Sequence, residues 1–418
     1  MVGRRDPLVI ELSDAQAFVH SRISVLEPEE YAVARARGCV IAATVLAQEA
    51  VPGFANSSMD GFALRARDTV EGGVRLRVVD SVRAGEVSSV VVGAGQAVRI
   101  MTGAALPEGA DCVCMIEEAT VEGSDVVIAR TLTPGAYVRG VGEDTEVGQV
   151  LFSPGDVLSA AGVGVLAGQG VTSVAVHPRA RVGVLSTGHE LVTGAGPLGP
   201  GQIRDLNRPM LLALVREAGF VAVDLDVADD TPEDITRALR GAITACDAVI
   251  TTGGVSVGDV DFVKTVLAEL GGEDARWMQV AIKPAKPFAF AVVGPRRVPV
   301  FGLPGNPVST RVSFELFVRP ALRARAGHRV LERPTLDAIL DVALERPADD
   351  KIHLVHVRVA WGDDGALHVT DAMRRGSHLL HAVAAANALA VVPTGARAHA
   401  GERVRVIVLD TDSLGAAP

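Results

Sequence analysis

The chain reads as a multidomain protein of the α/β-plus-β class. It has a central doubly wound α/β domain, a small all-β module before it, helical N-terminal segments and a C-terminal β domain that reads as a small barrel or sandwich. Three observations predict this. Strand-like and helix-like segments alternate from Arg181 to Ala326, the pattern of a parallel sheet covered by helices. Between Val51 and Leu151, short valine-rich segments are broken by Gly, Asp and Pro at intervals of about eight to twelve residues, the texture of a small all-β module. After Arg333-Pro334 the texture is β again to about Leu409, with period-two stretches such as His353–Ala360.

Taken in order, Leu12 to Gln48 is expected to be helical, with Ser13 as N-cap and a second, alanine-rich helix from about Glu29 to Cys39. Val74–Val79, Val87–Val92 and Asp125–Ile128 read as strands of the all-β module, and Ser159–Ala167 as a helix. In the α/β domain the expected strands are Arg181–Leu185, Ala222–Val227, Ala248–Thr252, Ala289–Val293 and Val298–Phe301. The expected helices are Asn207–Ala218, Pro232–Ala245, Phe262–Leu270 and Pro307–Ala326, with Asn207 a natural N-cap.

Composition narrows the function. With 418 residues, 48 % of them hydrophobic and 22 % charged, there is material for several cores. A formal charge of −10 and only 4 % aromatic residues weigh against a general nucleic-acid binder. An anionic small substrate would need a local group of cations. Cys39, Cys112, Cys114 and Cys246 contain no C-x-x-C pair. Cys112 and Cys114 alternate on an apolar run and so face one side of a strand, which suits core packing. Met1–Pro7 is charged and lacks a signal-type apolar core, and no apolar run approaches spanning length. The expected location is the cytoplasm, away from membranes.

The chemistry concentrates in glycine-rich loops after strands. Thr251-Thr252-Gly253-Gly254-Val255-Ser256 follows the apolar Ala248-Val249-Ile250, and Asp259 and Asp261 follow before a helical run. Small and hydroxylated residues leave backbone N–H groups free, and glycine lets an anion approach the main chain. Acids beside such a cradle suit a nucleotide with a divalent cation. Ser186-Thr187-Gly188-His189-Glu190, Gly201–Asn207 and Gly302–Ser309 repeat the style, and Asp229-Asp230 lies past another strand. Lys283-Pro284-Ala285-Lys286-Pro287 holds two ammonium groups on a stiff segment suited to an oxyanion. Any one such loop alone is most cheaply a turn. Four on one rim are hard to assign to folding.

These segments resemble the molybdopterin molybdenumtransferase (MoeA) family, which includes the C-terminal domain of gephyrin. The resemblance is carried by NSSMDGFA (Asn56–Ala63), MTGAALPEGAD (Met101–Asp111), STGHELV (Ser186–Val192), TTGGVSVGDVDFVK (Thr251–Lys264), KPAKPFAF (Lys283–Phe290) and GLPGNPVS (Gly302–Ser309). It covers nearly the whole chain. It implies four domains: a discontinuous N-terminal dimerisation region (8–48 with 149–180), an inserted β-rich domain (49–148), the α/β domain that binds molybdopterin (181–328) and a C-terminal β-barrel (329–412). It implies a homodimer joined largely through the first of these. The implied reaction consumes adenylylated molybdopterin and molybdate, uses Mg2+, cleaves a phosphoanhydride and releases AMP and molybdenum cofactor. The implied catalytic residues are Asp261, Asp230, Glu190, Lys283 and Lys286, with Asp261, Asp229, Asp230 and Glu190 around the metal. Substrate contacts are implied for Thr187, Thr252, Gly253, Gly254, Ser256, Ser309, Ser377 and Lys351. Asp60, Thr102 and Asp144 match positions that reach the cleft from the neighbouring subunit. A contact with the molybdopterin adenylyltransferase is a further implied partner. Lys351 stands where the family commonly has arginine, keeping the charge but losing the bidentate fork. A scaffold or carrier that has lost catalysis, and insertion of tungstate, are the alternatives.

Overall fold

The computed structural model describes residues 9–255, 262–344, 349–372, 380–395 and 398–415. They divide into two compact units, one made up of the described residues in 9–42, 155–160 and 173–415, the other of Ala43–Pro154 and Ala161–Thr172.

In the first unit the alternating segments form a seven-stranded sheet. Its order is Val9–Ile10, Arg276–Val280, Pro287–Val293, Val298–Leu303, Ala248–Thr252, Arg181–Thr187 and Val221–Ala228. The last four strands are parallel, while Pro287–Val293 runs antiparallel to both its neighbours. Alternation sorts the strands' side chains onto two faces. Val182, Val184, Ile250 and Phe301 pack with Leu211, Val215, Phe314 and Leu322. Leu185, Val249 and Val300 pack with Ile235, Leu239, Val263 and Leu267. Each such fully buried side chain contributes roughly 1.5–3 kcal/mol. Gly183 is closely packed on the second face: a Cβ there would lie 2.5 Å from Leu225 Cδ1 and force that side chain to shift.

Local chemistry sets the helix Pro232–Ala245. Thr231 caps it by accepting from Asp234 N at 3.2 Å, Pro232 opens the first turn, and Glu233 and Asp234 complement the dipole. Thr231→Ala should cost about 1 kcal/mol. The segment 307–325 stays helical, but Phe314–Val318 widens to π geometry between Pro307–Ser313 and Arg319–Arg325.

The C-terminal strands close on themselves. Ile352–Trp361, Leu367–Ala372, Thr335–Leu340, Arg403–Val408 and Ala388–Val392 pair in that order, and Ala388–Val392 returns to Ile352–Trp361. The result is the expected barrel, filled by Val357, Val359, Val369, Ala390 and Val406. Ile282–Lys283 adds in parallel beside Ile352–His353.

The second unit carries a six-stranded sheet, ordered Ala119–Glu122, Asp125–Ile128, Val74–Val82, Gln96–Ile100, Gly61–Leu64, Cys112–Met115. Cys112 and Cys114 lie with Phe62 and Leu64 in one core and Val113 with Ala63 and Val98 in another, as the period-two reading of that strand requires. All four cysteines are buried and unpaired.

Four expectations fail. The helix at Leu12 ends at His20, and its cap position is Glu11, not Ser13. Glu29–Ala32 is a strand followed by a single turn, Val33–Ala36, because it pairs antiparallel with Ser173–Val176. That tertiary pairing overrides the helix propensity of alanine. Val87–Val92 forms no strand: Val87 and Val91 are exposed, and the ladder position is taken by Gln96–Ile100. Asn207 is the first helical residue rather than the cap, which is Leu206. The sheet also gains edge strands at Arg276–Val280 and Val9–Ile10 that the pattern did not suggest.

Candidate functional site

In the parallel part of the sheet, the chain leaves Arg181–Thr187 for the outer strand Val221–Ala228, then crosses back to Ala248–Thr252. The carboxyl ends of Arg181–Thr187 and Ala248–Thr252 thus diverge at a topological switch point, where open α/β sheets bind ligands. A cleft of about 450 Å3 lies there. Its walls are Thr187, Gly188 and Glu190 from the first loop, Gly253, Gly254 and Val255 from the second, and Pro304, Gly305, Asn306 and Ser309 from the strand–helix turn after Leu303. Asp230 and Pro287 complete them.

Glycine is obligatory at the centre of this cleft. Gly253 has φ +99°, and a Cβ there would meet Thr187 O at 2.6 Å, so the loops approach backbone to backbone. Asn207 ties two loops together. Its Nδ2 donates to Thr252 Oγ1 at 2.9 Å and to Gly305 O at 2.7 Å. Its Oδ1 is buried without a partner among the described residues. Behind the first loop, Ser186 Oγ donates to Asp205 Oδ1 at 3.1 Å, and Arg208 Nε donates to Asp205 Oδ2 at 2.9 Å. Sequence reasoning missed Asn207, Asn306, Asp205 and Arg208 as site-forming residues. An Asn or Asp before a helix reads locally as a cap, so only the neighbouring loops reveal the longer reach.

The cleft's charge is carboxylate. Asp230 Oδ1 is buried with no hydrogen-bond partner among the described residues. Burial raises the carboxyl's pKa, the nearby Glu190 carboxylate raises it further, and His189 partly offsets both. Neither lysine nor arginine occurs among the described lining residues.

The structure therefore gathers Thr187, Glu190, Asp230, Gly253, Gly254 and Ser309 around one cleft, with Thr252 buried just behind it. Asp229 is exposed beside it and is not part of its wall. Pro287 brings the lysine-proline segment to the cleft, with Lys286 half-buried and Lys283 exposed. Lys351 precedes the Ile282–Ile352 pair, so the barrel delivers it beside the Lys283 segment in register. Ser256, Asp261 and Ser377 lie outside the described residues. In the second unit, Thr102 N and Oγ1 both donate to Asp60 Oδ1 at 2.7 Å, and these bonds hold the Asp60 carboxyl below its usual range. Asp144 is exposed in that unit, its N–H donating to Val51 O.

A doubly wound domain with a glycine-lined, hydroxyl-bearing cleft at its switch point suits a phosphorylated small ligand, and its match to the model of a probable molybdopterin-binding domain places it among molybdopterin-binding biosynthetic proteins. Family models agree along the chain. The MoeA N-terminal region (domains I and II) matches residues 10–170, the probable molybdopterin-binding domain 183–324 and the MoeA C-terminal region (domain IV) 344–409. The chain belongs to the MoeA family. It is 35 % identical over 391 residues to molybdopterin molybdenumtransferase 2 of Mycobacterium tuberculosis, covering 91 % of this chain and 95 % of that protein. It is likewise 35 % identical over 344 residues to the molybdopterin molybdenumtransferase of Haemophilus influenzae, covering 82 % and 84 %. The solved molybdopterin biosynthesis MoeA protein of Pyrococcus horikoshii OT3 superposes with a TM-score of 0.81 at 26 % identity, covering 96 % of this chain and 100 % of that one.

Proposed function

We propose that this protein is a molybdopterin molybdenumtransferase. In this reading it inserts molybdenum from molybdate into adenylylated molybdopterin, releasing AMP and forming molybdenum cofactor. Relatives that carry that name over nine-tenths of the chain support the reaction class. The observation that carries the chemistry is the half-buried Asp230 carboxyl, with one oxygen unpartnered among the described residues and Glu190 near it, in a cleft lined by glycine and hydroxyls.

Two carboxylates that repel each other, one with an orphaned oxygen, are a donor set suited to a hard divalent cation. Among the described residues no group of three or more His, Cys, Asp or Glu stands ready to hold a metal. Mg2+ is typically held by one or two carboxylates together with water and substrate phosphate. Glu190 and Asp230 would therefore hold it, with Asp261 and the adjacent Asp229 in support. Bound there, the cation would neutralise charge developing on the phosphoanhydride and the leaving phosphate.

The residues of the chain do the rest. Gly253 and Gly254, having no side chains, let phosphate oxygens approach the main chain, and Ser256 supplies a further hydroxyl. Thr187, Thr252 and Ser309 supply hydroxyls. Lys283, Lys286 and Lys351 orient the dianionic molybdate, a tetrahedral oxyanion that suits the donors used for phosphate, and Ser377 adds a hydroxyl. We further propose a homodimer in which Asp60, Thr102 and Asp144 of the neighbouring subunit complete the cleft, a cytoplasmic setting, and substrate supply by a contacting molybdopterin adenylyltransferase. No helix of the described residues is long and apolar enough to cross a membrane.

The test is AMP release from adenylylated molybdopterin, with molybdate and Mg2+ each present or omitted, followed by reactivation of an apo-molybdoenzyme. Release requiring both ions, with reactivation, supports the assignment. Tight substrate binding without release overturns it in favour of a carrier, and reactivation with tungstate alone overturns the choice of oxyanion.

A further inference from the structure

At the opposite, amino end of the parallel strands lies a larger cavity, of about 970 Å3. Arg181 and Val221 open their strands there, Asp247 immediately precedes Ala248–Thr252, and Arg296 and Arg297 precede Val298–Leu303. Six guanidiniums line it, those of Arg35, Arg179, Arg181, Arg296, Arg297 and Arg325. Against them stand three lining carboxylates, Glu27, Glu29 and Asp247, and Asp274 pairs with Arg297 at 3.2 Å, leaving an excess of two positive charges (six minus four) in a protein of formal charge −10.

The partners are uneven. Asp247 is engaged by Arg296 Nη2 at 2.7 Å and by the Arg181 backbone N–H at 2.8 Å. Four of the arginines, in contrast, are held among the described residues by neutral groups. Arg35 lies over the Tyr31 ring at 5.8 Å. Arg179 donates to Arg37 O, and Arg181 Nε to Ala245 O at 3.2 Å. Arg325 is the deepest, 3 % exposed, with Nη1 donating to Ser24 O and Oγ at 3.1 and 3.2 Å and Nη2 to Arg296 O at 3.4 Å. Its Nε is buried with no partner among the described residues. Burial disfavours the Arg325 charge; Asp247 and the bonds to neutral oxygens offset that only in part, and an anion in the cavity would offset more. The volume is that of a site for a small molecule, and guanidinium forks match phosphate oxygens two at a time.

We propose that this cavity is a second ligand site, distinct from the molybdopterin cleft, that takes a phosphate-bearing polyanion. Arg325 and Arg181 grip the phosphates from the floor and one wall, Arg179 closes on them, and the Tyr31–Arg35 pair offers a planar face to whatever the phosphates carry. Tethered at the amino edge of the sheet whose other edge forms the cleft, such a ligand would be bound without competing for it.

The probes are inorganic tripolyphosphate and ATP, added to the full chain. Hydrogen exchange read by mass spectrometry should slow in peptides covering 24–35, 178–181 and 294–297. Calorimetry should give affinity for the Arg179→Gln/Arg181→Gln double variant weakened roughly 10- to 100-fold, as the loss of one or two charge-assisted pairs implies. Both arginines are exposed, so melting and AMP release should match wild type. Equal affinity for the two probes supports recognition of the phosphate chain alone. Tighter ATP binding that is lost in Tyr31→Ala supports a nucleotide. Slowed exchange confined to 187–190 and 304–309, or wild-type affinity in the double variant, overturns the proposal.

Discussion

Replacing Asn207 with alanine tests whether the cleft is assembled as described. One amide nitrogen donates to Thr252 Oγ1 and to Gly305 O, joining loops that follow two different strands. Each bond contributes about 0.5–1.5 kcal/mol net, and a buried carbonyl left without its donor costs more. Thr252 Oγ1 keeps its own bond to Pro304 O at 3.3 Å, so the loss falls mainly on Gly305. The sum is about 2–3 kcal/mol, which corresponds to roughly 4–12 °C in melting temperature for a domain of this size. Activity should fall further, because loops displaced by about 1 Å lose on the order of 100-fold in rate. Asn207→Asp should do no better, since a carboxylate would face the Gly305 carbonyl. Thermal melting and AMP release on the same samples make the assay. Unchanged melting together with wild-type turnover in Asn207→Ala would refute the idea that this side chain holds the two loops in place.

Four other outcomes are expected. Because burial and Glu190 raise the Asp230 pKa, the folded state disfavours the charged form, and stability is lost as pH rises through that pKa. Asp230→Asn should therefore melt higher than wild type at pH 7 without Mg2+, with the gain gone below the ordinary carboxylate range, while AMP release is abolished. Gly253→Ala should lose at least about tenfold in AMP release, since its Cβ meets Thr187 O at 2.6 Å at a left-handed φ costing about 1–3 kcal/mol; full activity would show the loop can yield. If the neighbouring subunit completes the cleft, mixed dimers of Asp60→Ala and Asp261→Asn should regain activity that neither homodimer has, and well-formed inactive heterodimers would sink the shared site. His356, pushed down to about 3 by burial and by Arg311, stays neutral in the fold while the unfolded chain takes up its proton, so stability should decline as pH falls from about 6.5 toward 3. Urea titrations of wild type and His356→Phe across that range would measure it, and parallel slopes would refute it.

Much of this molecule was legible one residue at a time. The helix Pro232–Ala245 and the strand Ala248–Thr252 fall where cap, proline and apolar run place them, because those signals act within a single turn or strand. The alternating pattern dictated a two-faced sheet, and the switch point then dictated which loops could meet. Candidate residues on those loops, Thr187, Glu190, Asp230, Gly253, Gly254 and Ser309, share the cleft because a parallel sheet sends every strand's carboxyl end to one rim.

Where reading failed, the deciding partner was distant in the chain. Glu29–Ala32 looked helical until Ser173–Val176 offered it a ladder. Asn207 looked like a cap, yet its amide serves groups 45 and 98 residues away. Sequence alone determined the family, the periodicities and the chemistry available on each loop, since these follow from residue type and local spacing. Only tertiary structure decided that the barrel closes through Ala388–Val392, that Asp230 is left with an orphaned oxygen, and that six arginines converge on a cavity at the far edge of the sheet. Hydrogen-bond partners and the dielectric around a charge depend on which distant segments pack together, and no local pattern encodes that.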